Sequence, residues 1–498
     1  MMHLIDRIGI VDTSSGFNPC HGNIPALIKS VERVVLLGGA LPVPFPTISL
    51  HESFAHPTSM YLRNLMSVDT EEMIKAQPMD GVVLVGGCDK TIPAQLMGAI
   101  SANVPCISLV TGPMLTGSHE GKRVGACTDC RSYWKSYRAG IIDIEDISRV
   151  NNELVPSVGT YGVMGTASTM ACLLEALGVT PLGSATLTAP SSARLRVAEQ
   201  VGSIIVKNNN ASSSPIRPQD ILTRKSFENS ITLLHAIGGS TNAIVHLLAI
   251  AGRVPGLGPS EPEGIVLDDI SRIGHRTPLL VDLKPSGEGY MEDLHRAGGV
   301  PAILARLAEG GLLHLDAKTV ETPSLGAALA LHSYSSQRFK SIKQSVIRPL
   351  SDPLYPRDPL VVLRGNLAPG GCVIKAAAAT QRLLKHRGPT VVFSSALDLA
   401  NRIDASDLEV TPESVMVMQN TGPVGHPGMP EAGMVPIPKK LATQGIQDLV
   451  RISDARMSGT AQGTVVLHVA PEAAVGGPIA LVKNDDIIRI DAEKGRYG

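Results

Sequence analysis

The chain has 498 residues, more than one typical domain holds, so we expect two or three domains. Its net charge of −1 and its 3% aromatic content give no basis for binding nucleic acid or an anionic membrane. No apolar run reaches transmembrane length, and the N-terminus shows neither a signal peptide nor a transit peptide. Seven unevenly spaced cysteines suit a reducing compartment, so we predict a cytoplasmic protein, or a mitochondrial one if an N-terminal segment is missing.

The first 331 residues show strand-like and helical patterns in alternation. The predicted strands cover residues 7–12, 41–48, 82–85 and 105–110. The predicted helices include residues 24–37, 58–65, 70–76, 91–100, 141–154 and 192–207, a helix of small residues that ends near 177, and an apolar helix that begins at 240–242. This alternation predicts a mostly parallel sheet that is covered by helices on both faces, an α/β/α domain.

The pattern changes in residues 334–359, which are basic and then proline-rich. We therefore predict an α/β domain over residues 1–345 and a second domain over residues 346–498. The second region contains short runs of β-branched residues at 360–363, 372–374, 390–393, 415–418, 463–469, 479–482 and 486–490. These runs predict a smaller, β-rich, barrel-like domain.

A soft metal ligand, a hard metal ligand and an amine lie side by side in Gly86-Gly87-Cys88-Asp89-Lys90. A buried strand precedes this turn and a helix follows it, which is how α/β enzymes present reactive groups. Cys20 lies at a second junction between a strand and a helix. Two thiolates suit zinc or an iron–sulfur cluster, whereas an isolated cysteine in this position is more often a small buried apolar residue.

Three carboxylates, Glu52, Asp89 and Glu431, are candidate hard ligands and would suit Mg²⁺, although each alone reads as a solvated loop acid. The segment 453–460 carries Ser458, which is either a turn hydroxyl or an activated base. Cys127 and Cys130 form a C-x-x-C pair that could serve redox chemistry or half a zinc site. We favour ordinary buried thiols for that pair, because no second pair completes a zinc site.

Seven motifs resemble the dihydroxy-acid dehydratase / phosphogluconate dehydratase family over nearly the whole chain. They are Asn18-Pro-Cys, Gly87-Cys-Asp-Lys-Thr, Met164-Gly-Thr-Ala-Ser-Thr-Met, Gly238-Gly-Ser-Thr-Asn, Arg364-Gly-Asn-Leu-Ala-Pro, Gly428-Met-Pro-Glu and Ser453-Asp-Ala-Arg-Met-Ser-Gly-Thr. The last motif, together with Ser49-Leu-His-Glu, is closer to the sugar-acid (aldonate) branch than to the branched-chain amino-acid branch.

The resemblance implies an N-terminal α/β domain, a C-terminal β-barrel-like domain and a homodimer or dimer of dimers. It also implies a [2Fe–2S] cluster and a Mg²⁺ ion. Carried over to this chain, Cys20 and Cys88 would be cluster thiolates, and Ser458 would be the catalytic base. The Mg²⁺ ligands would be Glu52, Asp89, Glu431 and a carboxylated Lys90.

The implied reaction converts a 2,3-dihydroxy carboxylate into a 2-keto-3-deoxy acid with no net redox change. Mg²⁺ would hold the substrate carboxylate and C2 hydroxyl, and Ser458 would remove the C2 proton. The cluster would act as a Lewis acid on the C3 hydroxyl, which leaves as water.

One position departs from the family pattern. The third cluster thiolate should lie just before Met164, where this chain has Tyr161, a harder and less acidic ligand than a cysteine. Tyr161 could bind iron as a phenolate, Cys127 or Cys130 could replace it, or the cluster could be impaired.

Three functions therefore compete. The leading prediction is a hydro-lyase that acts on a sugar acid. The second is dihydroxy-acid dehydratase activity in branched-chain amino-acid synthesis, and the third is a non-catalytic relative with a degenerate cluster site.

Overall fold

The computed structural model describes residues 5–52, 59–210, 215–340, 344–492 and 496–497. Its first sheet has four parallel strands in the order β2-β1-β3-β4. The strands are β1 (Arg7–Asp12), β2 (Leu41–Pro46), β3 (Gly81–Gly86) and β4 (Cys106–Val110). The helices that connect them are α1 (Ile24–Leu37), α2 (Ser59–Ala76) and α3 (Thr91–Ala102). The predicted parallel sheet is therefore present, and α2 replaces the two short helices expected between residues 58 and 76.

Both faces of this sheet are buried. Successive side chains of a strand point to opposite faces, so neighbouring residues of β3 show what covers each face. On one face, Val83 packs in the main apolar core together with Leu27 of α1. On the other face, Leu84 packs in a smaller core with Ile74 of α2 and Ala99 of α3. The predicted cover on two faces is therefore confirmed for this sheet.

The predicted alternation of strand and helix up to residue 331 is wrong beyond β4. The chain continues with a hairpin, β5 (Gly117–His119) and β6 (Lys122–Val124), and then only with helices up to residue 340 in the part that the structure describes. These are α4 (Thr128–Arg138), α5 (Ile144–Asn151), α6 (Thr166–Leu177), α7 (Ser192–Asn210), α8 (Pro218–Ile221), α9 (Arg224–Ala236), α10 (Asn242–Ala251), α11 (Leu267–Gly274), α12 (Met291–Arg296), α13 (Gly299–Glu309) and α14 (Leu325–Lys340). Short apolar runs do not distinguish a buried helix from a buried strand, and here the helix forms.

The second sheet has eight strands in the order β14-β13-β9-β10-β11-β12-β8-β7. Its four central strands, β9 to β12, are parallel, and the outer strands are antiparallel to their neighbours. The strands are β7 (Val361–Leu363), β8 (Gly371–Ile374), β9 (Lys385–Phe393), β10 (Val415–Met418), β11 (Val450–Ser453), β12 (Val465–Ala470), β13 (Ile487–Asp491) and β14 (Arg496–Tyr497). Two short helices, α15 (Ala396–Arg402) and α16 (Lys439–Ala442), lie between them. The chain is thus a mixed α/β protein, and the barrel-like form of the second region stays a prediction.

Two expectations for the second region are wrong. The run 479–482 is not a strand, because it begins inside a 3₁₀ helix over Pro478–Leu481 that starts with proline. The expected set of strands also omitted β11, whose second residue, Arg451, is charged. In the structure Arg451 is buried and pairs with Asp448 at 2.5 Å.

The domain boundary at residue 345 is not tested by this arrangement and stays a prediction. None of the described helices has both the length and the apolar character that crossing a membrane requires.

Lys375, which follows β8, provides a test of the second region. Its side chain is buried, and the amine has no hydrogen-bond partner among the residues that the structure describes. Burial lowers the pKa of Lys375 to about 7 from an ordinary value of 10.5. At a pH between 7 and 10.5, Lys375 is protonated in the unfolded chain but neutral in the folded chain. The free energy of unfolding therefore decreases as the pH is lowered from 10.5 to 7.

We expect Lys375→Met to raise the thermal midpoint by a few degrees at pH 7, corresponding to roughly 1–3 kcal/mol, and by less at pH 9.5. The exposed Lys385 supplies the control, since Lys385→Met should leave the midpoint unchanged at both pH values. A midpoint that falls at pH 7 in Lys375→Met would contradict the assignment of an unpaired buried amine.

Candidate active site

Three neighbouring strands of the first sheet end at one place and carry predicted ligands there. Cys20 follows β1, Glu52 follows β2, and the turn 87–90 follows β3. Because the carboxyl ends of parallel strands meet at one edge of a sheet, these loops converge. The structure therefore brings together residues that are separated by up to 70 positions.

A second pair of parallel neighbours, β10 and β11, supplies the other half of the site. The loop after β10 carries Glu431, and the loop after β11 carries Arg456 and Ser458. Thr421 joins the two loops, since its backbone N and its Oγ1 donate to Asp454 Oδ1 at 2.9 and 2.8 Å. The same strand-end geometry thus operates in both sheets.

The thiols of Cys20 and Cys88 are close enough to interact, and both residues are buried. Contact with Cys88 lowers the pKa of Cys20 to about 6, and the contact together with burial raises the pKa of Cys88. Of the two thiols, Cys20 is therefore the one that loses its proton more readily. Asn18 shapes the turn that holds Cys20, because its side chain accepts a hydrogen bond from the backbone N of Cys20 at 3.2 Å.

His21 joins the two cysteine loops and was not identified from the sequence. Its Nε2 accepts hydrogen bonds from the backbone N of Gly87 and of Cys88, both at 3.1 Å. Its Nδ1 lies 2.8 Å from the carbonyl oxygen of Thr13, which makes Nδ1 the protonated nitrogen. Burial lowers the pKa of His21 to about 4, so the ring is neutral and can accept both bonds. Its position next to Cys20 was the only available sequence signal.

Three carboxylates, those of Glu52, Asp89 and Glu431, gather in the centre. Each offers an oxygen, and these three oxygens lie within 4.8 Å of one another. Burial raises the pKa of Glu431 above its ordinary value. Like charges at this distance repel strongly in a buried site, so the cluster needs positive charge to balance it.

Two buried cations provide that charge. The Nζ of Lys90 lies 2.6 Å from Glu52 Oε2 and 2.9 Å from Asp89 Oδ2. Arg456 contacts Glu52 and lies 2.9 Å from Glu431 Oε1. Burial opposes ionisation of Glu52, yet the charges of Lys90 and Arg456 hold its pKa below the ordinary value. The motif at residues 453–460 contains Arg456, but the sequence did not indicate that this residue joins two acids.

Asn242, the first residue of α10, positions the third carboxylate. Its Nδ2 donates to Glu431 Oε1 at 2.8 Å and to Thr166 Oγ1 at 3.2 Å. Thr166 begins α6, so the two small-residue motifs at α6 and α10 support the carboxylates rather than serving only as packing. The sequence predicted these two helices, but it did not predict that the Asn242 amide would contact Glu431.

These groups line a cavity of about 240 Å³. All of the predicted site residues except Lys90 line it, namely Cys20, Glu52, Cys88, Asp89, Tyr161, Glu431 and Ser458. The hydroxyl of Ser458 lies 2.8 Å from Thr460 Oγ1 and accepts a hydrogen bond from the backbone N of Thr460 at 3.4 Å. A second cavity of about 460 Å³ adjoins the first and shares Cys127, Arg131 and Thr460 with it.

Tyr161 lies on the wall of the same cavity. Its ring contacts the ring of His51 edge-on, with 6.2 Å between the ring centres, and His51 lines the same cavity as Cys20. Tyr161 and Cys127 both line this cavity and pack against the same small apolar cluster. Cys127 and Cys130 have different surroundings, because Cys127 lines both cavities and Cys130 lines only the larger one.

The donor set fits the metals that the motifs suggest. Three clustered carboxylate oxygens are ligands that Mg²⁺ prefers, and two buried thiols in contact are ligands of the kind that iron–sulfur clusters use. The amine of Lys90 faces two of the carboxylates, and its carboxylation stays a prediction.

Comparison with known proteins shows the family. A model of the dihydroxy-acid/6-phosphogluconate dehydratase N-terminal region matches residues 6–328, and the corresponding C-terminal model matches residues 345–497. The chain belongs to the dihydroxy-acid/6-phosphogluconate dehydratase family. The resemblance inferred from the motifs is confirmed, and the chain is a dehydratase.

Individual relatives in this dehydratase family align over nearly the whole chain. The L-arabonate dehydratase of Azospirillum brasilense is 47% identical over 98% of this chain and 81% of its own length. The L-arabinonate dehydratase of Rhizobium leguminosarum bv. trifolii is 44% identical over 98% and 82%. The dihydroxy-acid dehydratase of Chloroflexus aggregans is 37% identical over 98% and 84%.

Gly87 tests the geometry of the turn between β3 and α3. A Cβ atom at this position would lie 1.7 Å from Oγ1 and 2.9 Å from Cβ of Thr111, which is buried and anchored by its backbone to Gly86. We expect Gly87→Ala to destabilise the protein by about 1–3 kcal/mol through overpacking, seen as a lower thermal midpoint.

Gly16 supplies the matched control, because a Cβ there would meet no atom within 4 Å. Gly16→Ala should therefore keep the wild-type midpoint. Equal midpoints for the two variants would contradict the close approach of Gly87 to Thr111.

Proposed function

We propose that this dehydratase converts a sugar acid, a 2,3-dihydroxy carboxylate with further hydroxyl groups, into a 2-keto-3-deoxy acid. The observation that carries the proposal is one cavity on which two thiols, three carboxylates and Ser458 converge. The relatives named for sugar-acid substrates are also more similar in sequence than the dihydroxy-acid dehydratase mentioned above.

Two cofactors would supply the electrophilic chemistry. When bound, Mg²⁺ at Glu52, Asp89 and Glu431 would make the C2 proton more acidic, and an iron–sulfur cluster at Cys20 and Cys88 would assist departure of the C3 hydroxyl. Carboxylation of Lys90 would turn its amine into a further oxygen ligand and would remove a competing positive charge from the carboxylates.

The side chains of this protein would handle the proton. Ser458 Oγ, as an alkoxide, would accept the C2 proton, and loss of the C3 hydroxyl as water would leave an enol that becomes the keto acid. The neighbouring Thr460 hydroxyl, 2.8 Å away, can donate a hydrogen bond that stabilises the alkoxide. Thr460 is buried, so its hydrogen bond with Ser458 is shielded from solvent.

The walls beyond the metal ligands favour a polyhydroxylated substrate. Thr166, Ser168 and Thr460 supply hydroxyl groups, and Arg131 supplies a positive charge where the two cavities share a wall. Polar groups of this kind reject a substrate that leaves them unpaired, such as one with an alkyl tail. The branched-chain dihydroxy acid is therefore the second candidate.

A non-catalytic role is disfavoured because a scaffold has no use for this set of acids, thiols and Ser458. A homodimer or dimer of dimers and a cytoplasmic location stay predictions.

A substrate panel tests the proposal. Protein reconstituted anaerobically with iron, sulfide and Mg²⁺ should form keto acids from five- and six-carbon aldonates at least about tenfold faster, in kcat/KM, than from 2,3-dihydroxyisovalerate. Turnover confined to dihydroxyisovalerate would favour the second candidate, and no turnover in fully loaded protein would favour the non-catalytic one.

The role of Ser458 can be measured with the preferred substrate. Ser458→Ala should lower kcat by about 10²–10⁴, since general-base catalysis contributes that factor, while iron content and KM change little. Ser132 lines only the larger cavity, so Ser132→Ala should retain wild-type kcat. A Ser458→Ala enzyme with near-normal kcat would exclude this hydroxyl as the base.

The carboxylate site can be measured by metal binding alone. Glu431→Gln removes one of three charged ligands, so we expect Mn²⁺, used as a spectroscopic substitute for Mg²⁺, to bind roughly tenfold or more weakly. Exposed Glu413 gives the control Glu413→Gln, which should bind Mn²⁺ as the wild type does. Unchanged affinity in Glu431→Gln would remove Glu431 from the ligand set.

A further inference from the structure

Three of the seven cysteines line the cavity of about 240 Å³: Cys20, Cys88 and Cys127. All seven lie in the described residues, and the other four do not line this cavity. Cys127 immediately precedes α4, on a segment distant in sequence from the β1 and β3 loops. The fold thus brings a third thiol to the place where two thiols already touch.

Tyr161 connects the two sides of this cavity. It lines this cavity together with Cys127, and both side chains pack against one small apolar cluster. Its ring contacts that of His51, which lines the same cavity as Cys20. The residue that occupies the expected third ligand position is therefore itself a neighbour of a thiol. The sulfur of Cys127, which lines the same cavity as Tyr161, can therefore replace the cluster ligand that the family pattern places at position 161.

Ligand chemistry favours the sulfur over the phenol. Iron–sulfur clusters are held predominantly by thiolates, and a coordinated thiol gives up its proton outright. A phenol is a harder donor, and hydrogen bonds to cluster sulfurs are a role that it can keep without binding iron.

We propose that Cys127 is the third thiolate of the iron–sulfur cluster in this protein, and that Tyr161 donates a hydrogen bond to it. The inference rests on the proposed function for the presence of a cluster. On coordination the S–H bond of Cys127 breaks, its proton goes to solvent, and an iron–sulfur bond forms, with no change in the oxidation state of the iron. With three protein thiolates, one iron position stays available to the substrate.

Cys130 provides a matched control on the same helix. It lies three residues further along α4, and it lines only the larger cavity. A serine substitution there changes the same C-x-x-C motif without touching the wall that Cys20 and Cys88 share.

The experiment compares iron and acid-labile sulfide per chain after anaerobic reconstitution, together with the EPR spectrum of the dithionite-reduced protein. We expect Cys127→Ser to retain at least about threefold less iron and sulfide than the wild type, and Cys130→Ser to load fully. Tyr161→Phe, which keeps the ring and removes the hydroxyl, should also load fully but show a shifted EPR spectrum. Circular dichroism of each apoprotein confirms that the variants are folded.

The alternatives give different results. Full loading of folded Cys127→Ser would overturn this inference alone, and loss of iron in Tyr161→Phe with full loading of Cys127→Ser would identify Tyr161 as the ligand. A wild-type chain that takes up neither iron nor sulfide would overturn the proposed function as well.

Discussion

Repulsion among three clustered carboxylates, one buried and two half-buried, is the constraint on which the centre of this protein depends. The oxygens of Glu52, Asp89 and Glu431 lie within 4.8 Å of one another, and two buried cations, Lys90 and Arg456, balance them. Removal of one partner from such a group leaves an uncompensated buried charge, which costs several kcal/mol. The cations therefore hold the acids in a geometry that a divalent ion can use.

That geometry is assembled from both sheets of the molecule. The carboxyl ends of β1, β2 and β3 bring two thiols and two acids, and those of β10 and β11 bring the third acid, Arg456 and Ser458. Arg456 contacts an acid from each region, so it couples the two halves directly. His21 performs the corresponding task within the first half, because one neutral ring links the two cysteine loops.

Sequence reasoning succeeded where residue type and strand ends determine the outcome. The limits of β1, α1 and β10 match their predicted ranges, and parallel strand ends explain why Cys20 and Cys88 meet. It failed where packing decides between structures of similar pattern. Beyond β4 the expected alternation is wrong, because the described chain forms one hairpin and then helices up to residue 340, and β11 contains a buried charge, Arg451, that pairs with Asp448.

The partners of the site residues were also beyond reach of the sequence. A motif indicates that Ser458 and Arg456 are near each other, but not that the guanidinium joins Glu52 to Glu431, which are far apart in the chain. Likewise, the contact between Tyr161 and Cys127 depends on how the loop before α4 folds over the cavity. Such contacts join residues that are far apart in the sequence, and a local sequence pattern does not predict which of them meet in the folded chain.

The central claim is that one turn, at Cys88 and Asp89, places an iron–sulfur cluster beside a divalent ion. Consecutive Cα atoms are about 3.8 Å apart, so residues that would hold the two groups are direct neighbours and the groups would be close in space. The most direct test is the EPR signal of the reduced cluster with Mn²⁺ or Mg²⁺ bound at the carboxylates. The account predicts that Mn²⁺ strongly broadens the signal and that Mg²⁺ leaves it unchanged, whereas an unbroadened signal at saturating Mn²⁺ would contradict it.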